Sequence, residues 1–132
     1  MASGLTTAER NRYLTANYKT NTVYGACCTS DPGDAASMSG KEVSGSAYAR
    51  TEITFGDDAA AGSISNTAAC NFPAASGGNW GTISHLAICS SDVEDADTAI
   101  ASGSLTASKV IDDGDQLVFA IGNITVAIAA QA

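Results

Sequence analysis

From Asn21 onward no apolar run lasts long, because each is closed by a cluster of turn-forming residues. Ser30-Asp31-Pro32-Gly33-Asp34, Gly56-Asp57-Asp58 and Ser76-Gly77-Gly78-Asn79 are such closures. Gly and Asn tolerate positive φ there, and Asp and Ser side chains close on nearby amides. Between the closures the side chains alternate. Over residues 47–55, Ala49, Thr51, Ile53 and Phe55 share one face and Tyr48, Arg50, Glu52 and Thr54 the other. Period two is the mark of a half-buried strand. Further strands are expected over 22–28, 63–72, 80–89 and, briefly, 99–105. Residues 116–121 and 124–129 read as a hairpin around Gly122-Asn123, with Ile124, Val126 and Ile128 on one face. About seven or eight short strands at this spacing predict an all-β chain, a jelly-roll-like antiparallel β-sandwich.

One segment departs from that pattern. Thr6-x-x-Glu9 fits a capping box, in which the Thr6 hydroxyl and the Glu9 carboxylate each take the other's amide. A short helix over 7–18 follows, with Leu14 and Tyr18 one turn apart on a single face. Arg10, Arg12 and Lys19 make this stretch locally basic. The expected division is a helical docking segment, 1–20, and a β-sandwich domain, 21–132.

Charge narrows the function. Of the 132 residues, 14 are acidic and 6 basic, a net charge of −8. An unaided nucleic-acid binder needs clustered Lys and Arg to neutralise phosphates, so nucleic acid is not an expected partner. A membrane is not expected either, since no apolar run approaches the ~20 residues of a spanning helix. The amino terminus lacks the charged-then-apolar profile of a secretory signal, which predicts synthesis in the cytoplasm. Hydrophobic residues at 45% against charged residues at 15% exclude a disordered solvating chain. The surface left over is rich in small residues and poor in charge. It suits packing against neighbours.

Cys27, Cys28, Cys70 and Cys89 are too few for a secreted disulfide scaffold. Adjacent strand residues point to opposite faces, so one of Cys27 and Cys28 should face the core and the other outward. A bond between the two would strain the peptide that joins them. Buried small hydrophobes is the plain reading for at least two of the four. At least one disulfide, within the fold or between subunits, is the sharper expectation.

Metal chemistry finds no foothold. His85 and Cys89 are four apart, which on a strand separates them by roughly 13 Å, too far for one tetrahedral zinc. Asp57-Asp58, the acids from Asp92 to Asp97, and Asp112-Asp113-Gly114-Asp115 do not fit the twelve-residue calcium loop. Catalysis is equally unsupported. There is no G-x-S-x-G elbow, no phosphate-cradling loop, and only one Trp, four Tyr and three Phe to line a sugar cleft. No enzyme activity, metal or cofactor is expected.

Four blocks, in order, carry a resemblance: Lys41-Glu42-Val43-Ser44-Gly45-Ser46-Ala47-Tyr48-Ala49-Arg50-Thr51-Glu52-Ile53-Thr54-Phe55; Gly62-Ser63-Ile64-Ser65-Asn66 with Asn71-Phe72-Pro73; Trp80-Gly81-Thr82-Ile83-Ser84-His85; and Gly114-Asp115-Gln116-Leu117-Val118-Phe119. The chain resembles small tailed-bacteriophage virion proteins of the tail-fibre and decoration type, which share this order of blocks. Lys41, Cys70 and Ser84 depart from the family pattern, and the Cys27-Cys28 pair is peculiar to this chain. The resemblance implies a non-enzymatic virion component that oligomerises. The favoured expectation is a capsid decoration (cement) protein on the capsid surface, a homotrimer bridging subunits of the major capsid protein. Its alternative is a host-binding module of the tail fibre or tail tip. Arg10, Arg12, Tyr13 and Lys19 are the candidates for docking, and Tyr48, Arg50, Glu52 and Trp80 for lateral contacts, with a core position as the alternative for Trp80.

Overall fold

The computed structural model describes residues 4–129. It opens on helix α1, Thr7–Leu14, followed by a π-helical turn over Thr15–Thr20. Thr6 caps α1 by accepting the Glu9 amide at 3.3 Å. The reciprocal half of the box is missing, because the Glu9 carboxylate turns down the helix to Arg12, with Nε to Oε2 at 2.8 Å. The α-helix stops at Leu14, short of the expected residue 18. Asn17 is one reason: its side-chain amide donates to the Tyr13 carbonyl at 2.8 Å, competing with the backbone for that acceptor. Leu14 and Tyr18 are both buried, as their spacing requires.

Eight strands follow: β1 Val23–Cys28, β2 Thr51–Ile53, β3 Ser63–Ser65, β4 Cys70–Asn71, β5 Gly81–Cys89, β6 Ala99–Ile111, β7 Val118–Phe119 and β8 Thr125–Ala127. The chain is all-β apart from its first turns. One sheet runs β2-β1-β5-β6; β3 pairs with β8, and β4 with β7. The β1–β5 and β5–β6 ladders are antiparallel, with Ala26 opposite Ala87 and Ala87 opposite Ser102.

The chain divides into two compact units. The first takes residues up to Thr22, Ile53–Cys70 and Phe119 onward. In it Tyr18 meets Phe55 edge-on at 5.7 Å, and Ile64 pairs with Val126 across β3 and β8. The second takes Val23–Glu52 and Asn71–Val118. Its core gathers Ala26, Cys28, Met38, Ala87 and Cys89, with Ala99 against them.

Four strand expectations change. The strand expected over 63–72 is split into β3 and β4, which pair with different partners, and residues 66–69 lie outside both. The alternation over 47–55 forms a strand only at Thr51–Ile53. Tyr48 and Arg50 are buried from one face, then Ile53 and Phe55 from the other. The phase switches where the chain passes from the second unit to the first, between Glu52 and Ile53. The hairpin around Gly122-Asn123 does not form. Asn66 takes over that turn: its Oδ1 accepts the Ile124 amide at 2.9 Å, and its Nδ2 donates to the Ala68 and Ala120 carbonyls at 2.8 and 3.0 Å. β8 is thereby handed to β3. Finally, the short strand expected at 99–105 runs on to Ile111.

Cys27 and Cys28 are both fully buried, contrary to the expected inward–outward split. β1 lies inside the sheet, and both of its faces are covered. Cys70 and Cys89 are buried as well, and all four are thiols. No disulfide joins any two of them within the chain.

Candidate assembly surface

The expected docking cations are each engaged within the chain. Arg12 is exposed but bound to Glu9 one turn back. Lys19 Nζ reaches Asp58 Oδ1 at 2.7 Å. Arg10 is buried: Nη1 donates to the Ile128 carbonyl at 3.0 Å and Nη2 to Thr7 Oγ1 at 2.9 Å. The helix therefore offers a compensated surface in place of a basic one. Tyr13, by contrast, stands half in solvent at 52% exposure.

Of the lateral-contact candidates, Glu52 is exposed while Tyr48, Arg50 and Trp80 lie inside the second unit. Their burial corrects the expectation that they face a neighbour. Tyr48 and Trp80 meet edge-to-face, ring centroids 5.3 Å apart, and Trp80 Nε1 donates to the Ser46 carbonyl at 3.0 Å. Arg50 uses all five of its N–H donors. Nε and Nη2 hold the Glu42 carboxylate at 2.8 Å each; the rest go to the Ser91 and Ala96 carbonyls and to Thr98 Oγ1. Glu42 in turn accepts from the Tyr48 hydroxyl and from the Asp95 amide at 2.9 Å. Burial pushes the Glu42 carboxyl up, but the Arg50, Tyr48 and Asp95 hydrogen bonds outweigh it and hold it below the usual carboxylate range. Burial, and then the adjoining carboxylate, push the Tyr48 phenol far above its ordinary value. This is a saturated buried polar network. It ties residues 42–50 to the acidic connection 91–98.

The four sequence blocks are thus mostly interior architecture. Glu42, Tyr48, Arg50 and Trp80 make the network just described. Gly62, at φ +76, lies directly against the Arg10 guanidinium. Asn66 holds the 120–124 turn. Gly114, at φ +92, donates to the Ala75 carbonyl at 2.7 Å, while the Asp115 carboxylate accepts the Asp112 amide. The Asp112 to Asp115 stretch is therefore a turn closed by its own carboxylate and tied to residues 75–79. His85 is half-buried, its Nδ1 paired with the Ser84 hydroxyl at 2.8 Å. The cavity along α1, about 410 Å³, is a groove between Asn11, Arg12 and Thr15 on one side and Asp58 on the other. No aromatic ring lines it.

The strand expected at 99–105, longer in the structure, carries open surface to which the sequence reading assigns no contact role. β6 is an edge strand, and from Ser102 to Val110 every residue but Leu105 is exposed. The signal was legible: between Asp97 and Asp112 there is no acidic residue in a chain of net charge −8.

The model of one protein family, described as podophage GP4 fiber I protein gp80, matches residues 8–127. No curated protein matches the chain.

Proposed function

The chain belongs to the podophage GP4 fiber I protein gp80 family, and from that premise we propose that it serves as a structural subunit associated with the phage tail fibre. It is a structural protein of a tailed-phage virion; the tail-fibre position is the finer reading. Its work is to present packed surface to neighbouring subunits, with no catalytic step. The observation that carries this is the use of residues from the four sequence blocks. Glu42, Arg50 and Trp80 in the second unit and Asn66 in the first are buried and fixed to their own chain, so they serve to hold each unit together. Contact with other subunits is left to small, weakly charged surface such as β6.

Capsid decoration is the competing position. It relied on a basic helix docking on an acidic shell, and Arg12 and Lys19 are each neutralised by a carboxylate of this chain. Electrostatic complementarity would be weak there. A host-binding module that recognises a glycan would need an exposed aromatic cluster. Among the described residues Tyr13 is the aromatic side chain that stands exposed. The fibre-associated structural role fits both facts better.

Immunogold labelling of intact particles with antibody to this chain tests the position. Label confined to the tail appendages supports it. Label spread over the head would assign the chain to the capsid instead.

A further inference from the structure

We propose that β6 pairs, antiparallel, with β6 of a second copy of this chain, about a two-fold axis at Gly103. The inference names the partner of the open surface and does not depend on where in the virion the chain sits.

Three observations support it. β6 is the outer strand of the four-stranded sheet, and its outward row of N–H and C=O groups is unpaired among the described residues. Such an edge is a template for another strand, and soluble proteins blunt it with charge or proline. Here Ala101 to Ser104 contain neither.

Gly103 is the second. It sits in the regular part of the ladder, opposite Leu86, and its φ is not in the left-handed region. A Cβ built on it meets nothing within 4 Å. Gly56 and Gly78 differ, since a Cβ there would strike Thr67 or Ser46 at 2.6 Å. The chain by itself gives no reason for glycine at 103. A strand glycine weakens its strand and marks close approach of another backbone.

Charge is the third, and it selects a second copy as the partner. Two chains of net charge −8 repel except where acids are absent, and residues 98–111 hold none. An antiparallel pair centred on Gly103 places Ser102 of one copy opposite Ser104 of the other, matching small hydroxyl residues. It also carries Lys109, which makes no ion pair among the described residues, toward the acidic Asp92 to Asp97 connection of the second copy. The register shifts in β6, at Ile100 and over Leu105 to Ser108, lie outside this central segment and bound it. The edge pairing is isologous, so it closes as a dimer.

The test uses the full chain. In the variant Ser102→Cys with Ser104→Cys, oxidation should give a dimer on non-reducing gels, with peptide mapping showing 102–104 cross-links; each single variant should cross-link far less. Ser102→Glu with Ser104→Glu sets like charges opposite one another and should weaken self-association at least tenfold by sedimentation. Ser44→Glu, also at an exposed position, should leave it unchanged. In the wild-type chain, amide exchange at 101–104 should slow as concentration rises. A chain that is monomeric at ~100 µM, or an assembly indifferent to the paired Glu substitutions, would overturn the proposal.

Discussion

The Glu42 carboxylate grips the Arg50 guanidinium in a two-pronged pair, Oε2 to Nε and Oε1 to Nη2, with both side chains wholly out of solvent. Removing either partner strands the other as an uncompensated buried charge. Arg50→Ala should therefore lower stability by about 3–5 kcal/mol, measured by urea unfolding at pH 7. Replacing both residues by apolar ones of similar volume should cost much less than the sum of the single changes. Additive losses would show that the pair is not what holds this region.

The same pair sets an acid dependence. The folded Glu42 carboxyl titrates below its unfolded value of 4.5. A group depressed in this way stabilises the fold above the unfolded pKa, and that stability fades as pH falls through the folded one. Glu42→Gln removes the titration. The stability gap between wild type and Glu42→Gln should be widest near neutrality and should close below pH 4.5. Unfolding midpoints collected from pH 7 down to acid would reveal a gap that stays constant if Glu42 is not the titrating group.

Gly62 is needed for two separate reasons, and they can be separated by experiment. Its φ of +76 disfavours any L side chain, and a Cβ there would lie 2.0 Å from Arg10 Nη1. That nitrogen is held by the Ile128 carbonyl and cannot simply swing away. Gly62→Ala should cost roughly 2 kcal/mol or more, of which about 1–2 is left-handed strain. In an Arg10→Ala background only the strain should remain. A double-mutant cycle should then show coupling above about 0.5 kcal/mol.

The cysteines should behave as inert core. Burial pushes the Cys28 thiol up to about 12, with Glu42 adding to the rise, and the Cys70 thiol up to about 11. Burial raises Cys89 as well. The thiolate is the reactive form, so at pH 8 the native chain should react with thiol reagents far more slowly than the unfolded chain. Mass spectrometry should find four labelled cysteines after denaturation. A native chain that labels at the rate of a free thiol would place at least one of them at the surface.

Particular residues show how far the sequence could be read. The strand–turn rhythm gave the all-β class, because period-two burial and turn chemistry act locally. Thr6, Leu14 and Tyr18 were placed correctly for the same reason. Where a distant partner competes, local reading fails. Glu9 reads as half a capping box until Arg12 takes its carboxylate. Gly122-Asn123 reads as a hairpin until Asn66 captures the Ile124 amide from 58 residues away. Arg50 and Tyr48 read as surface because charged and phenolic groups avoid burial unless satisfied. Only the assembled network reveals that every donor has an acceptor. β6 was underestimated because its length comes from the β5 ladder and not from its own alternation.

The turn before Tyr48 shows strain that can be relieved. Gly45, Ser46 and Ala47 carry φ of 76, 53 and 66 in succession, a left-handed run in which only the first residue is a glycine. It is held because the Ser46 carbonyl accepts from both the Ser76 amide and Trp80 Nε1, each at 3.0 Å. Ala47→Gly removes left-handed strain of about 1–2 kcal/mol and adds unfolded-state entropy of about 0.5–1. The net should be a gain near 0.5–1 kcal/mol, seen as a rise in Tm of roughly 2–4 °C. Trp80→Phe keeps an aromatic ring near Tyr48 but deletes one donor to Ser46, and should cost about 1 kcal/mol or more. The turn is then less firmly held, so Ala47→Gly should help less in the Trp80→Phe background than in wild type. An unchanged or lowered Tm for Ala47→Gly alone would mean that the left-handed run is not under strain.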